Sequence, residues 1–391
     1  MVDFRAAEAL AEGPGPREHA NNFAPPLSRR AQRYALRERL REFSQVKRCR
    51  GCGKWMTGEV VGVRYSEGNG AGFSGLTTCG SVWVCPVCSA KILARRSVET
   101  GVLLLGWENQ GGRLVLGTLT MRHHRGHGLA QEWDALQKGW NSVTNSKVWR
   151  KWKARTGSPG FVKVVEISYG QNGWHVHIHF VLLVGPGVVE GDVAELAGWL
   201  FPKWQRALDR AGMSGALNVG QDLKLADGLE AAEQFGEYLT KQSAYGTAES
   251  LGRELFGSWS KSARSWSRTV PHWALAEGFF ETGDLELLRL WHEVEVASHG
   301  RRQYSMAKRL RELMALGPEK SDEEIAQEEA GDRDLVQITR AGWAAVMRAS
   351  RRGDWLPSRI LEVIEERGVD GLCRWLEAEG IEHMEVGDEG E

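Results

Sequence analysis

The sequence lacks any run of about 18 apolar residues, the length that a membrane-spanning helix needs. Residues 1–23 also lack the apolar core of a secretory signal peptide. We therefore expect a cytoplasmic protein without a membrane partner. Thiols stay reduced in that compartment, so the six cysteines are expected to be reduced.

The sequence also lacks an overall excess of charge, because its formal net charge is -1. This balance conceals an asymmetry along the chain. Residues 1–317 contain 41 Lys+Arg and 31 Asp+Glu, whereas residues 318–391 contain 9 and 20. A basic body favours a polyanionic partner such as nucleic acid. The acidic part is equally well explained as a solvated tail.

Cysteine is scarce, yet four of the six form two Cys-x-x-Cys pairs, Cys49 with Cys52 and Cys85 with Cys88. Each pair can direct two sulfurs at one ion, and two pairs complete the tetrahedron of a structural Zn²⁺ site. Cys79 is a spare that could replace one ligand or stay in the core. Free thiols and disulfides are the alternatives to a zinc-ribbon-like segment.

Histidine is scarce as well, with 11 in 391 residues, but His175, His177 and His179 occupy every second position. Side chains alternate faces along a β-strand, so these three imidazoles share one face. Alternate residues lie about 6.6 Å apart, so an adjacent pair can reach one ion but all three cannot readily do so. His177 belongs to both possible adjacent pairs, one with His175 and one with His179.

Glu166 lies on the preceding predicted strand and faces the same histidines. It is opposite His177 if the hairpin turn is centred on 171–172, and opposite His179 if the turn is centred on 172–173. Two imidazoles, one carboxylate and open positions suit a divalent ion that also holds a phosphate. A polar sheet face without a metal is the alternative.

The order of predicted elements indicates an α+β fold. It reads β-α-β-β-α-β and then α, which is the ferredoxin-like order of an antiparallel sheet. We expect helices on one face of this sheet and an open face, with the histidines, on the other. The predicted elements are strands at 113–121, 161–169, 174–184 and 216–223, and helices at 129–153, 189–212 and 228–246.

The last of these helices contains Tyr238 and Lys241 at positions i and i+3, hence on one face. A tyrosine hydroxyl near a metal-bound phosphate can attack it, and a neighbouring lysine can lower the pKa of the phenol. Tyr-x-x-Lys alone is more often a core tyrosine beside a solvated lysine. The Tyr-x-x-Lys pattern indicates a functional site here only because it follows the last strand of the histidine sheet.

These motifs together resemble the HUH endonucleases. The chain is similar to the single-tyrosine rolling-circle replication initiators of actinobacterial and other Gram-positive plasmids, over roughly residues 45–317. The resemblance implies that 117–120 (GTLT) is the first motif and that His177 and His179 are the core ligands of Mg²⁺ or Mn²⁺, with His175 a further candidate. It also implies that Glu166 matches a family glutamate and that Tyr238 is the nucleophile.

The activity implied by this resemblance is nicking of one strand of the plasmid double-strand origin. A 5′-phosphotyrosine intermediate forms, a 3′-OH primer is left, and the ends are rejoined at termination. Origin DNA and host helicase, polymerase and single-strand-binding protein are the implied partners. Two other functions remain open: an HUH transposase or relaxase, and a non-enzymatic zinc-ribbon DNA-binding regulator.

The chain departs from the family pattern at one position. Some single-tyrosine members carry a glutamate four residues before the tyrosine, where this chain has Gln234. The candidates for the second cleavage are therefore Glu233, Glu237 and Tyr245.

The rest of the chain is divided by composition. Residues 300–311, which are basic and predicted as a helix, are expected to contact DNA through Arg301, Arg302, Lys308 and Arg309. The predicted units are a basic, largely disordered N-terminus (1–44), a zinc-ribbon-like segment (45–98), an HUH endonuclease domain (99–250), a basic helical DNA-binding extension (251–317), an acidic linker (318–334) and a small helical module with an acidic tail (335–391).

Overall fold

The computed structural model of the chain is mixed α/β with two antiparallel sheets. The structure describes residues 28–68, 70–242, 269–351 and 355–386, without the side chains of 236–242. Within these ranges, none of the helices combines the length and the apolar character that crossing a membrane requires.

Ten strands are described. They are β1 (Val60–Ser66), β2 (Gly70–Phe73), β3 (Arg113–Leu119), β4 (Gly160–Gly170), β5 (Gly173–Val184), β6 (Asp222–Ala226), β7 (Val270–Pro271), β8 (Tyr304–Met306), β9 (Val336–Thr339) and β10 (His383–Glu385).

Thirteen α-helices are described in the same ranges. They are α1 (Arg29–Phe43), α2 (Lys47–Gly51), α3 (Pro86–Asn109), α4 (Leu129–Thr144), α5 (Lys147–Arg155), α6 (Glu190–Arg210), α7 (Gly228–Gln242), α8 (Trp273–Thr282), α9 (Leu285–Ala297), α10 (Lys308–Leu313), α11 (Asp322–Gln327), α12 (Arg340–Arg351) and α13 (Leu356–Ala378).

The larger sheet has the strand order β6-β3-β5-β4, and all neighbours are antiparallel. The far edge of β4 pairs with β7 near Ser168 and with β8 near Val164. Helices α4 and α5 connect β3 to β4, and α6 connects β5 to β6. The predicted sequence of strands and helices is therefore observed.

One face of this sheet is apolar because alternate residues of β5 are hydrophobic. Val176, Ile178 and Phe180 are fully buried, and the ring of Phe180 lies 5.1 Å from that of Trp140 on α4. Helices α4 and α6 approach closely over this face, since a Cβ at Gly139 would lie 2.6 Å from the Trp204 ring. This packing holds β5 rigidly from behind.

The histidine face also carries helices, which differs from the expectation of an open face. The register places Lys224 of β6 on the same face as His179, and its Nζ lies 2.7 Å from Glu230 on α7. Thr100 of α3 shares a hydrogen bond of 2.9 Å with Tyr304 of β8. Helices α3 and α7 thus pack together across part of this face.

The smaller sheet joins segments that are far apart in the chain. Its order is β10-β9-β1-β2, with Val61 opposite Ile338 and Val63 opposite Val336. These four side chains are fully buried with residues of α12 and α13 in a second hydrophobic cluster. The C-terminal segment therefore supplies half of the sheet that β1 and β2 begin.

Several stretches differ in detail from their prediction. The strand expected at 216–223 is β6 at Asp222–Ala226, and the N-terminus expected to be largely disordered contains α1 at Arg29–Phe43. The helix expected at 129–153 is two helices, because Ser146 accepts a hydrogen bond from Trp149 N and begins α5. The helix expected at 300–311 is instead β8 followed by α10, because Tyr304 and Met306 alternate inward along the edge of β4. The acidic stretch expected as a linker contains α11, whose Ile325 is buried.

Replacing Ile338 with alanine tests the pairing of β9 with β1. We expect the free energy of unfolding to fall by about 2–5 kcal/mol, because a buried side chain is removed and leaves a cavity. Urea unfolding followed by circular dichroism measures it. Leu313→Ala, at an exposed position, is the matched control and should change stability by less than about 0.5 kcal/mol. Equal effects in the two variants would contradict the pairing.

Candidate metal and active site

The register of the β4–β5 hairpin decides which histidine faces Glu166. Gly170 pairs with Gly173, so the turn is Gln171-Asn172 and Glu166 lies directly opposite His177. Gly173 has φ +90°, a conformation that glycine adopts without strain. Of the two registers that the sequence allowed, this is the first.

Three ligand atoms converge on this face of the hairpin. Glu166 Oε2 lies 3.2 Å from His177 Nε2 and 3.1 Å from His179 Nε2. The two histidine side chains are about nine-tenths buried, and that of Glu166 is 18% exposed. Behind them, Thr118 Oγ1 lies 3.1 Å from His179 Nδ1. A threonine of the first motif thus holds the second nitrogen of one imidazole, as partners of metal-binding histidines commonly do.

The spacing of these atoms fits a hard divalent ion. Adjacent ligands at about 2.1 Å from an octahedral ion lie about 3.0 Å apart. The distances of 3.1 and 3.2 Å from the carboxylate to the imidazoles are close to this value. Glu166, His177 and His179 together could therefore hold a metal ion.

Electrostatics favour the metal-binding form of the carboxylate. Burial would raise the pKa of Glu166, but the hydrogen bonds from His177 and His179 outweigh burial and hold that pKa well below its usual range. His175 lies outside the three-residue group. Burial, and then the proximity of His177, lower the pKa of His175 to about 3, so its ring is neutral.

The expected nucleophile helix is present as α7. Tyr238, Lys241 and Glu237 lie on α7, but their side chains are outside the described part, and Tyr245 is outside the described residues altogether. Glu233 is exposed on α7. Gln234 donates a hydrogen bond of 3.0 Å to Glu230.

A second candidate metal site is built from cysteines. Sγ of Cys52 lies 3.6 Å from that of Cys85 and 3.5 Å from that of Cys88, and Sγ of Cys79 lies 3.7 Å from that of Cys88. Sulfurs bound tetrahedrally at about 2.3 Å lie about 3.8 Å apart, whereas a disulfide bond is about 2.05 Å. The group therefore fits a tetrahedral zinc ion.

The structure differs from the expected ligand set at one residue. Cys79, regarded from the sequence as a spare, belongs to the group of four, and Cys49 does not. Cys49 lies within the short helix α2 and its thiol contacts that of Cys79, whereas Cys52 follows the end of the helix and lies beside Cys85 and Cys88. Gly80, with φ +61°, allows the chain to turn immediately after Cys79.

Buried cations beside the sulfurs support thiolates there. The side chains of Arg37 and Arg41 on α1 are only 6% and 8% exposed, and Glu38 is the carboxylate that pairs with both. Arg41 also donates a hydrogen bond to the carbonyl of Cys52. Hydrogen bonds from Cys79, Cys85 and Cys88, and then the charge of Arg37, lower the pKa of Cys52.

The buried cations beside the sulfurs require a negative partner, which a metal–thiolate cluster supplies and neutral thiols do not. Two guanidinium groups and one carboxylate leave a net positive charge, which is costly to bury without a counterion. Four thiolates with one Zn²⁺ carry a net charge of about -2. A metal–thiolate cluster therefore fits this environment better than four neutral thiols.

The expected DNA-contacting cations are mostly in ion pairs. Arg301 lies 2.8 Å from Asp134, Arg302 lies 3.7 Å from Glu319, and Lys308 lies 3.8 Å from Glu312. Arg309 is exposed. Exposed ion pairs contribute little stability, so a phosphate could replace these carboxylates.

A family model described as "Replication protein" matches residues 75–349 of this chain. The match spans more than half of the sequence. The chain belongs to the replication protein family. The resemblance to plasmid replication initiators is therefore confirmed. Glu166, His177, His179 and Tyr238 lie within the region that matches this replication protein family, whereas Cys52 precedes it.

Two individual proteins are similar to this replication protein. "Protein rep" of Streptomyces lividans is 28% identical over 334 residues, covering 70% of this chain and 73% of that protein. A Streptomyces cyanogenus protein named "Neomycin resistance protein" is 33% identical over 143 residues, or 30% of this chain and 32% of that protein. No solved structure matches the chain.

Serine substitutions distinguish the two candidate fourth ligands of the replication protein's cysteine site. We expect Cys49→Ser to keep about one zinc per chain and Cys79→Ser to lose most of it, because four thiolates complete the tetrahedron. Elemental analysis after gel filtration measures the metal. Loss of zinc in Cys49→Ser with retention in Cys79→Ser would reverse the assignment.

Glutamine substitutions test the histidine site in the same way. We expect His179→Gln to weaken Mn²⁺ binding by more than about 100-fold, since loss of a group that hydrogen-bonds to a metal ligand already costs about 10–100-fold. Isothermal titration calorimetry measures the affinity. His175→Gln is the matched control and should bind Mn²⁺ within about 3-fold of the unmodified protein, because less than 1 kcal/mol is then lost. A large loss in the control would place His175 among the ligands.

Proposed function

We propose that this replication protein initiates rolling-circle replication by nicking one strand of the plasmid double-strand origin. The observation that carries the proposal is the convergence of Glu166, His177 and His179 on one face of β4 and β5. Two nearly buried imidazoles that share one carboxylate oxygen have the ligand types of a divalent-metal site. A metal-dependent reaction on a phosphate needs such a group.

The strand order supports an HUH-type, ferredoxin-like fold for the catalytic region. In the sheet, β3 lies between β6 and β5, and β4 lies on the other side of β5. This is the antiparallel arrangement to which the β-α-β-β-α-β order belongs.

The helical repeat supports Tyr238 as the nucleophile. Ala231 and Phe235 of α7 are buried, and Tyr238 follows them by seven and three residues, which are positions on the same side of a helix. The rise from Gly228 to Tyr238 is about 15 Å. Helix α7 contacts β3. Along β3, the distance from Leu114 to Thr118, which lies beside His179, is about 14 Å. The helix is thus long enough to bring residue 238 to the level of the metal site.

The proposed reaction is a transesterification. The Tyr238 Oη–P bond forms, the P–O3′ bond breaks, and the phenolic proton is transferred in net terms to the departing 3′ oxygen. A phosphotyrosine bond to the 5′ phosphate results, together with a free 3′-OH that primes synthesis. The energy of the phosphodiester is kept, so attack by a 3′-OH on the phosphotyrosine can rejoin the ends.

The chain's residues divide this work. Glu166, His177 and His179 would hold Mg²⁺ or Mn²⁺, which when bound offsets charge on the reacting phosphate. Thr118 keeps His179 in the orientation that directs Nε2 at the site. Lys241, one turn after Tyr238, is proposed to favour the phenolate. The cysteine site with Zn²⁺ is proposed to be structural, because four thiolates leave no open position.

The second cleavage needs a different group from Gln234, because an amide side chain cannot act as a general base. Glu233, Glu237 and Tyr245 remain the proposed candidates. Arg301, Arg302, Lys308 and Arg309 are proposed to contact origin DNA, and host helicase, polymerase and single-strand-binding protein are proposed partners.

A covalent-adduct assay tests the nucleophile and the reaction class together. Single-stranded fragments tiling the origin, labelled at the 3′ end, are incubated with protein and Mn²⁺ or EDTA and run on a denaturing gel. We expect label on the unmodified protein with Mn²⁺ only, and none on Tyr238→Phe, which lacks the attacking oxygen. Tyr65→Phe, at an exposed position on β1, is the control and should label normally.

Two other outcomes would contradict the proposal. An adduct that survives in Tyr238→Phe would place the nucleophile elsewhere, and Tyr245→Phe would be tested next. Neither adduct nor nick on any fragment, from folded protein shown to bind Mn²⁺ and origin DNA, would favour a non-enzymatic DNA-binding regulator.

A further inference from the structure

A row of imidazoles extends away from the candidate metal site. The ring of His175 lies 4.5 Å from that of His177 with 20° between their planes. On its other side, His175 lies 4.9 Å from the ring of His123, at 19°. Three nearly parallel rings thus lead outward from the candidate ligand His177, and the other two rings lie outside the three-residue group.

The side of His177 that faces away from Glu166 contacts another ring and makes no hydrogen bond among the described residues. His177 Nδ1 is buried and has no hydrogen-bond partner among the described residues, whereas its Nε2 faces Glu166. The ring of His175 packs against the side of His177 that faces away from Glu166. His175 therefore links His177 to His123 by ring stacking.

His123 belongs to a segment, residues 122–127, that we name the histidine loop. The loop is fixed to the β4–β5 hairpin, because Arg125 Nε donates 2.8 Å to the carbonyl of Gln171 and His123 Nδ1 donates 3.3 Å to that of Asn172. Contact is close enough that a Cβ on Gly173 would lie 3.0 Å from Arg125 Cα. The loop is thus held in place beside the metal site.

The histidine loop has the charge and the surface that a nucleic acid requires. Arg122, His124 and Arg125 are exposed, and residues 120–128 include no acidic residue. Glu132 lies below the loop, fully buried, with a carboxylate oxygen 3.8 Å from His127 Nδ1. Burial raises the pKa of Glu132 to about 9, so its carboxyl is neutral and does not cancel the loop's charge.

We infer that the histidine loop and His175 form a subsite for the nucleotides on one side of the scissile phosphate of single-stranded DNA. A base stacks on the outer imidazole, His123, and Arg122 contacts the adjoining phosphate. Aromatic stacking with cationic phosphate contacts is how proteins bind single strands. This inference rests on the proposed nicking function and adds to it a place for the strand that the metal ligands do not provide.

The experiment measures binding without cleavage. Fluorescence anisotropy in EDTA gives the affinity for three labelled single strands: one that spans the mapped nick site, one that ends at it from the 5′ side and one that ends at it from the 3′ side. Stacking on one aromatic ring predicts that His123→Ala binds the spanning strand about 5- to 100-fold more weakly. His123→Phe, which keeps a flat ring, should stay within about 3-fold of the unmodified protein.

The shortened strands make the assignment specific. We expect the loss in His123→Ala to persist with one of them and to disappear with the other, because the latter lacks the nucleotides that touch the loop. Arg122→Ala should show the same dependence and a salt slope shallower by about 1. Mn²⁺ affinity in His123→Ala should be unchanged within about 3-fold, which a distorted metal site would not allow.

Two control variants test whether the effect is specific, and failure of the subsite can be distinguished from failure of the proposed nicking function. His383→Ala on β10 and Arg150→Ala on α5 should bind all three strands like the unmodified protein. If the unmodified protein nicks and binds but His123→Ala and Arg122→Ala bind every strand equally well, the subsite is wrong and the nicking function stands. If the unmodified protein neither nicks nor binds any origin strand, the proposed function itself fails.

Discussion

The antiparallel pairing of β4 with β5 is the interaction on which the candidate site depends. Side chains alternate along both strands, so a slip by one residue would turn the three histidines of β5 to the apolar face and Val176, Ile178 and Phe180 to the histidine face. The two-residue turn and the fully buried side chains of Val176, Ile178 and Phe180 make that slip costly. The candidate metal site is therefore specified as much by the hydrophobic face as by its candidate ligands.

The cysteine site stands where the two hydrophobic clusters of the described chain come together. Helix α1 contributes Leu36 and Leu40 to the larger cluster and Tyr34 to the smaller one. The same helix carries Arg37 and Arg41, whose buried charges lie beside the thiols. A metal–thiolate group at this point would tie the charge balance of α1 to the contact between the sheets. That is a structural role, in keeping with four sulfur ligands and no open position.

The two sites also differ in how the chain reaches them. The three candidate ligands of the larger sheet come from adjacent strands within 14 residues, so a hairpin alone brings them together. The smaller sheet instead needs β9 and β10 from the end of the chain to pair with β1. Local contacts of the first kind form with little loss of chain entropy, whereas contacts of the second kind require closure of a long loop. The face with the candidate metal ligands is thus the locally encoded part of the molecule.

Local sequence patterns were enough to predict the candidate metal ligands of the hairpin and the order of the strands and helices. Period-two histidines, a hairpin turn and an upstream glutamate predict three ligands on one face, because strand geometry leaves few other arrangements. The order of strands and helices, the family resemblance and the presence of a cysteine site follow from patterns within short windows. The exact register did not, since both turns were compatible with the sequence.

Other features depend on packing between distant segments, which no local pattern contains. Only the tertiary structure placed the Cys79 thiol in one group with those of Cys52, Cys85 and Cys88. It also paired Thr118 with His179 across β3 and β5, and placed His123 against His175. The sequence by itself determined which residues could serve as ligands. The fold decided which of them meet, because distances between segments are set by how hydrophobic faces cover one another.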